Sequence, residues 1–138
     1  EVIESIKRKA NYNYPFECCG FLSGKERNQS LRIDSSHSCY NISDKPREEF
    51  LIDPLCHIRL QKSLRSKNCK ILGVYHSHPN GNIELSKKDM DYFNDYNLLW
   101  FIVAISQLNE SKIMIYKPIF ASKKSFEICQ YYIQDEKF

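Results

Sequence analysis

Glycine and proline are scarce, with four Gly and five Pro in 138 residues. That excludes a collagen-like or low-complexity chain. Long apolar runs are absent. The longest, Leu98 to Ile105, is strand-sized and well short of the roughly 18–20 residues of a membrane span. No membrane partner is therefore expected, and no leader segment is visible. Charge of one sign is lacking too. The net charge is +3, whereas nucleic-acid binding needs a concentrated basic surface, so no nucleic acid is expected. The basic groups at Lys7-Arg8-Lys9 and at Arg59, Lys62, Arg65, Lys67 and Lys70 read as solvated faces of two helices. Six cysteines are present without a C-x-x-C pair. All six are read as reduced thiols of a cytoplasmic protein, with Cys18 and Cys19 on opposite faces of one strand. Glu1 in place of Met suggests a trimmed or processed start, with room for a flanking segment.

What is present suits a folded domain. Hydrophobic residues make up 42% and aromatics 13%, more aromatic than a disordered chain. The length suits one domain over residues 1–138. Val2, Ile3, Ile6 and Ala10 have helical spacing, and Pro15 ends that helix. Glu17 to Gly24 reads as a strand closed by a glycine turn, and 31–41 as a second strand with Leu31, Ile33 and Cys39 alternating. Phe50 to Ile52 is a short third. Asp53-Pro54 starts a helix to about Lys67, with Asp at the cap and Pro at the first helical position. Its apolar residues are Leu55, Ile58 and Leu64, with Cys56 and Leu60 beside them. Lys70 to His78 is apolar on both faces, as a central strand is. A loop at 79–82 precedes a helix from Ser86 to Tyr96, strands at 98–105 and 112–116, and a last edge strand or helix at 125–134. That order predicts an α/β fold in which helices pack on one mixed sheet.

Two histidines carry the first chemical signal. His76 and His78 are two apart on a predicted strand, so both imidazoles leave the same face. Asp89 lies one turn into the next helix, and the loop between is long enough to fold that helix over the strand end. Two His and one carboxylate give zinc three ligands and leave a fourth position open for water, the arrangement of a catalytic site. Such a site needs a base, and Glu17, at the start of a strand, is the candidate. Ser86 and Asp89 also have an ordinary structural explanation, because S-x-x-D ahead of a helix resembles a capping box. His37 and His57 have no partner spacing, Asp91 and Asp95 read as helix surface, and Trp100 reads as core. The combined spacing H-x-H-x7-S-x-x-D arises by chance in such a chain on the order of a few times in ten thousand.

That spacing resembles the JAMM motif of the MPN zinc metallopeptidases, in its prokaryotic JAB-type form. YPFECCGFLSG at 14–24, FLIDP at 50–54 and LGVYHSHPNG at 72–81 resemble the same family, and the likeness covers about residues 1–117. The resemblance implies an MPN/JAB-like fold, a curved mixed sheet flanked by helices and related to the cytidine deaminase architecture. It implies one zinc per chain on His76, His78 and Asp89. Glu17 is then the base that takes the water's proton and passes it to the leaving amine, and Ser86 a donor to the oxyanion or the water. The implied reaction is hydrolysis of a peptide or isopeptide bond after the C-terminal Gly-Gly of a ubiquitin-like or sulfur-carrier protein. Residues 41–52 are the candidate wall of the groove for that tail.

Two other classes compete. A non-catalytic module that binds ubiquitin-like proteins has no need of a complete ligand set. A nucleobase deaminase requires H-x-E with P-C-x-x-C, and neither is present.

Overall fold

A computed structural model describes residues 1–92, 98–106, 110–119 and 125–131, with Asp91, Tyr92 and Ser125 described by backbone alone. Asp95 and the end of the helix expected to reach Tyr96 lie outside the described residues. The elements are α1 (Val2–Asn13), β1 (Cys19–Arg27), β2 (Ser30–Cys39), α2 (Pro54–Arg65), β3 (Lys70–His78), α3 (Lys87–Tyr92), β4 (Leu99–Ile105), β5 (Ser111–Ile119) and β6 (Ser125–Cys129). They form the expected mixed sheet, six strands in the order β2-β1-β3-β4-β5-β6. Among the described residues only the β3–β4 pair is parallel; the other neighbours are antiparallel. Segment 125–129 is the edge strand rather than a helix.

Strand alternation divides the core in two. On one face Ile6 and Ala10 of α1 pack with Cys18, Leu22, Tyr75 and Val103. On the other, Leu60 and Leu64 of α2 pack with Cys19, Phe21, Val74 and Trp100. Cys18 and Cys19 thus take opposite faces, as expected of neighbours on a strand. In α2 the buried stripe differs from the expected one. Leu60 and Leu64, one turn apart, face the sheet, while Leu55 and Ile58 are about half exposed. Cys56 continues that stripe at the four-residue spacing of a helix.

β1 runs past its expected end. Gly24 makes no turn; the hairpin turns at Asn28 and Gln29, both at positive φ, the signature of a two-residue type I′ connection. Gly24 is needed because a Cβ there would collide with the Arg32 carbonyl of β2. Next to it the pairing jumps from Ser23↔Ser35 to Gly24↔Ile33. Asp34 is the extra residue of a bulge, which inverts the alternation. Ile33 therefore packs toward α1 and Cys39 toward α2, so the expected single-faced set does not form. The strand expected at 50–52 reduces to one bridge, Asn41↔Ile52.

The reading of all six cysteines as reduced thiols is corrected. The end of β2 and the first turn of α2 come together, and Cys39 and Cys56 form a disulfide with Cα atoms 5.9 Å apart. The cysteine-based ground for a cytoplasmic location goes with it. The bridge closes a segment of separation 17, for which lost loop entropy in the unfolded chain is worth about 3 kcal/mol. A C39S/C56S variant is expected to unfold at lower urea, with a steeper slope because its unfolded chain is less compact; an unshifted midpoint would show that the bridge contributes nothing. Among the described residues no helix is long and apolar enough to cross a membrane.

Candidate metal centre

β3 supplies two of the three residues. It is buried from Leu72 onward, between β1 and β4. Val74, His76 and His78 share the α2-side face, while Tyr75 and Ser77 face α1. After His78 the chain turns through Gly81, at φ +82, and α3 returns beside the strand end. Ser86 and Asp89 form the expected capping box. The Asp89 N–H donates to Ser86 Oγ at 3.0 Å, and the Ser86 N–H donates to Asp89 Oδ2 at 3.0 Å. The reciprocal bonds aim the carboxylate at the histidines.

Three polar atoms then crowd one point. His76 Nε2 and His78 Nε2 lie 3.0 Å apart, and Asp89 Oδ2 is 3.1 Å from the first and 3.0 Å from the second. All three residues are buried. His78 Nδ1 is 2.7 Å from the Asn82 carbonyl, which can only accept, so this nitrogen carries a proton and neutral His78 turns the lone pair of Nε2 inward. That lone pair faces a carboxylate oxygen, and the two imidazole nitrogens also face each other. A single cation relieves both contacts. Zinc with ligands at 2.0–2.1 Å has tetrahedral ligand separations of about 3.3 Å, close to the spacing here. The donor set thus fits a borderline divalent metal such as zinc, and His76, His78 and Asp89 are a group that could hold one.

The surroundings tune the charges. Burial pushes the Asp89 carboxyl up, but the adjoining imidazoles of His76 and His78 outweigh it and hold the carboxyl well below the usual range. Burial lowers His76 and keeps it neutral. For His78, burial is outweighed by Asp89 and the pKa rises.

Glu17 reaches this site through strand register. Cys19 pairs with His76, and the Ser77 N–H donates to the Cys18 carbonyl at 3.0 Å. Two residues before Cys19, Glu17 therefore stands level with His78 and faces the same way. It is 6% exposed, and its Oε1 has no hydrogen-bond partner. Burial raises its pKa to about 8, opposed by His78 and reinforced by Asp89 and Glu49. A buried carboxyl beside a candidate cation site, one oxygen of it without a hydrogen bond, is poised to exchange a proton near neutral pH.

Several residues here had no contact with the histidines read from the sequence. Phe50 stacks on the His76 ring at 4.3 Å between centroids, and Trp100 meets it edge-on at 5.5 Å. Trp100 is core, as read, but core against a candidate ligand. Asn41 and Asn82 act through ordinary side-chain and backbone hydrogen bonds that no spacing advertises. A cavity of about 270 Å³ opens beside Asp89, between Ile42, Phe50 and Leu51 on one side and Lys88 on the other. The Lys88–Glu49 ion pair, 2.9 Å, lies in its lining. His37 and His57 go elsewhere: His37 Nε2 meets Ser23 Oγ at 2.8 Å, and His57 packs on Phe21.

Known proteins share this arrangement of chain. The solution structure of a protein from Desulfitobacterium hafniense superposes with a TM-score of 0.84 at 22% identity, covering 98% of this chain and 90% of that one. A solution structure from Salinibacter ruber gives 0.74 at 19% identity, covering 99% and 90%. Both show the fold. A desampylase of Haloferax volcanii is 27% identical over 90 residues, 65% of this chain and 63% of the relative. A desampylase of Pyrococcus furiosus is 30% identical over 87 residues, 63% of this chain and 59% of the relative. Tail tip assembly protein K of Escherichia phage N15 is 27% identical over 104 residues, 75% of this chain but 39% of the relative. The chain thus spans 39–63% of the length of these curated relatives. The family model of prokaryotic homologs of the JAB domain matches residues 1–116. That match takes in β1 with Glu17 before it, both histidines of β3 and the capping box of α3, and the chain belongs to this family.

Proposed function

We propose that this protein is a zinc-dependent hydrolase of peptide or isopeptide bonds, cutting after the C-terminal Gly-Gly of a ubiquitin-like or sulfur-carrier protein. The supporting observation is the buried Nε2–Nε2–Oδ2 triangle, with edges of 3.0–3.1 Å, near Glu17, whose Oε1 has no hydrogen-bond partner. His76, His78 and Asp89 would hold one zinc ion, which supplies a Lewis acid and lowers the pKa of water at the site. Relatives named desampylase support a ubiquitin-like protein conjugate as substrate.

The chain's own residues then have distinct tasks. Glu17, buried level with His78, takes the attacking water's proton and returns it to the leaving amine. Ser86 Oγ accepts from the Asp89 N–H, which uses a lone pair and leaves the hydroxyl proton free. Capping and donation to a developing oxyanion are therefore compatible in one hydroxyl. Phe50, Trp100 and the β3 backbone keep bulk water from the inner side of the histidines. The exposed side is bounded by the 42–51 segment, where a side-chain-free Gly-Gly tail can lie extended.

The test is a panel of carriers ending in Gly-Gly, joined to a lysine side chain, to an amino acid or to a fluorogenic amine, read by mass spectrometry. Zinc-loaded protein is expected to cut at least one of them after the second glycine. A chelator should abolish turnover, and added zinc should restore it. Binding of carriers without cleavage by zinc-loaded protein would make this a recognition module instead.

A further inference from the structure

Glu17 precedes β1, so no strand fixes its peptide groups. Both are taken by the 41–52 segment instead. The Glu17 N–H donates to the Pro46 carbonyl at 2.7 Å, and the Glu17 carbonyl accepts from Asn41 Nδ2 at 3.0 Å. The same amide nitrogen donates to the Glu49 carbonyl at 3.0 Å. Asn41 Oδ1 accepts from the Ser43 N–H at 3.1 Å and from the Leu51 N–H at 3.0 Å. Two donors and two acceptors are all that a side-chain amide offers, and each is used. Two of the four bonds go to Glu49 and Leu51, the residues on either side of Phe50. Phe50 stacks on His76, whose Nδ1 is buried without a hydrogen bond. His78 has the Asn82 carbonyl to orient it; His76 has packing.

We propose that Asn41 is a positioning residue. It ties the backbone of Glu17 and the segment bearing Phe50 to one another, so that the base and the aromatic support of His76 hold a common register. This rests on the assignment of Glu17 as base. The donor half of the amide does the coupling, because both Nδ2 bonds cross from Asn41 to carbonyls that nothing else in the described structure fixes. The acceptor half shapes the local turn. Aspartate separates the two: it keeps both acceptors and the size, and replaces both donors with a negative oxygen facing two carbonyls.

The test compares wild type, N41D, N41S and E17Q, with a fluorogenic Gly-Gly-tailed ubiquitin-like carrier as substrate and Co2+ as a spectroscopic probe of the metal centre. For N41D, kcat is expected to fall about 100-fold, the loss that roughly 1 Å of misplacement causes. KM should stay within about threefold, and Co2+ affinity and absorption should match wild type, because the three candidate ligands lie on β3 and α3. N41S, with one short donor, should lose less. A kcat for N41D within threefold of wild type overturns the proposal. So does a loss of Co2+ binding in step with kcat, which would make Asn41 merely structural. If N41D does not fold, N41S decides on the same two criteria. E17Q keeps the two failures apart: turnover by E17Q rejects Glu17 as base, whereas inactive E17Q beside fully active N41D rejects only Asn41.

Discussion

Glu17→Gln is expected to lower kcat by roughly 10²–10⁴-fold, the usual contribution of a positioned base, while zinc remains bound. The amide has the same shape and keeps the backbone bonds to Pro46 and Asn41, but it cannot take a proton. The substitution has a second, opposite consequence. In the metal-free fold the Glu17 pKa is raised from 4.5 to about 8 by burial. The unfolded chain therefore loses this proton first as pH rises from 4.5 to about 8, and over that window the group destabilises the metal-free fold progressively. Gln does not titrate. Metal-free E17Q should be more stable than metal-free wild type at pH 8, on the order of a few kcal/mol, with the difference gone by pH 4. Chemical denaturation of both at the two pH values checks this. Equal stabilities at pH 8 would show that the carboxyl is solvated, and undiminished turnover would show that it is not the base.

His76→Ala is expected to abolish zinc binding, or to weaken it by more than the roughly 10–100-fold that loss of an outer partner costs, with turnover lost in parallel. Two donors remain in place of three, and the ring removed is fully buried between Phe50 and Trp100. Its loss leaves a cavity that neither aromatic can fill without moving. Asp89 also loses one of the two imidazoles that hold its charge. Wild type should itself release zinc as pH falls, because protons compete for the imidazoles, and His78 is held above its ordinary pKa by Asp89. Chelator competition at several pH values reads both effects. Wild-type affinity in the variant would place the metal elsewhere.

Features of short range were the legible ones. His76 and His78 share a face because a strand has period two, and the S-x-x-D spacing forms the capping box it resembles. Asp53 caps α2 and Pro54 opens it. What pairing between distant segments decides was not legible. Glu17 stands level with His78 only through the β1–β3 register. Cys39 meets Cys56 only because β2 and α2 converge, and Ile33 and Cys39 part only because of a bulge set by the close approach of Gly24 to β2. Phe50 and Asn41 belong to a segment with a single bridge, where neither helical nor strand period marks a residue. Their importance lies in what they touch.

Zinc content of the purified wild type, measured beside His76→Ala and Asp89→Ala, tests the central claim most directly. One zinc per chain in wild type, lost from both variants, is the expected result. Wild type free of zinc after preparation without chelators, or variants that keep it in full, would contradict a metal centre built from His76, His78 and Asp89.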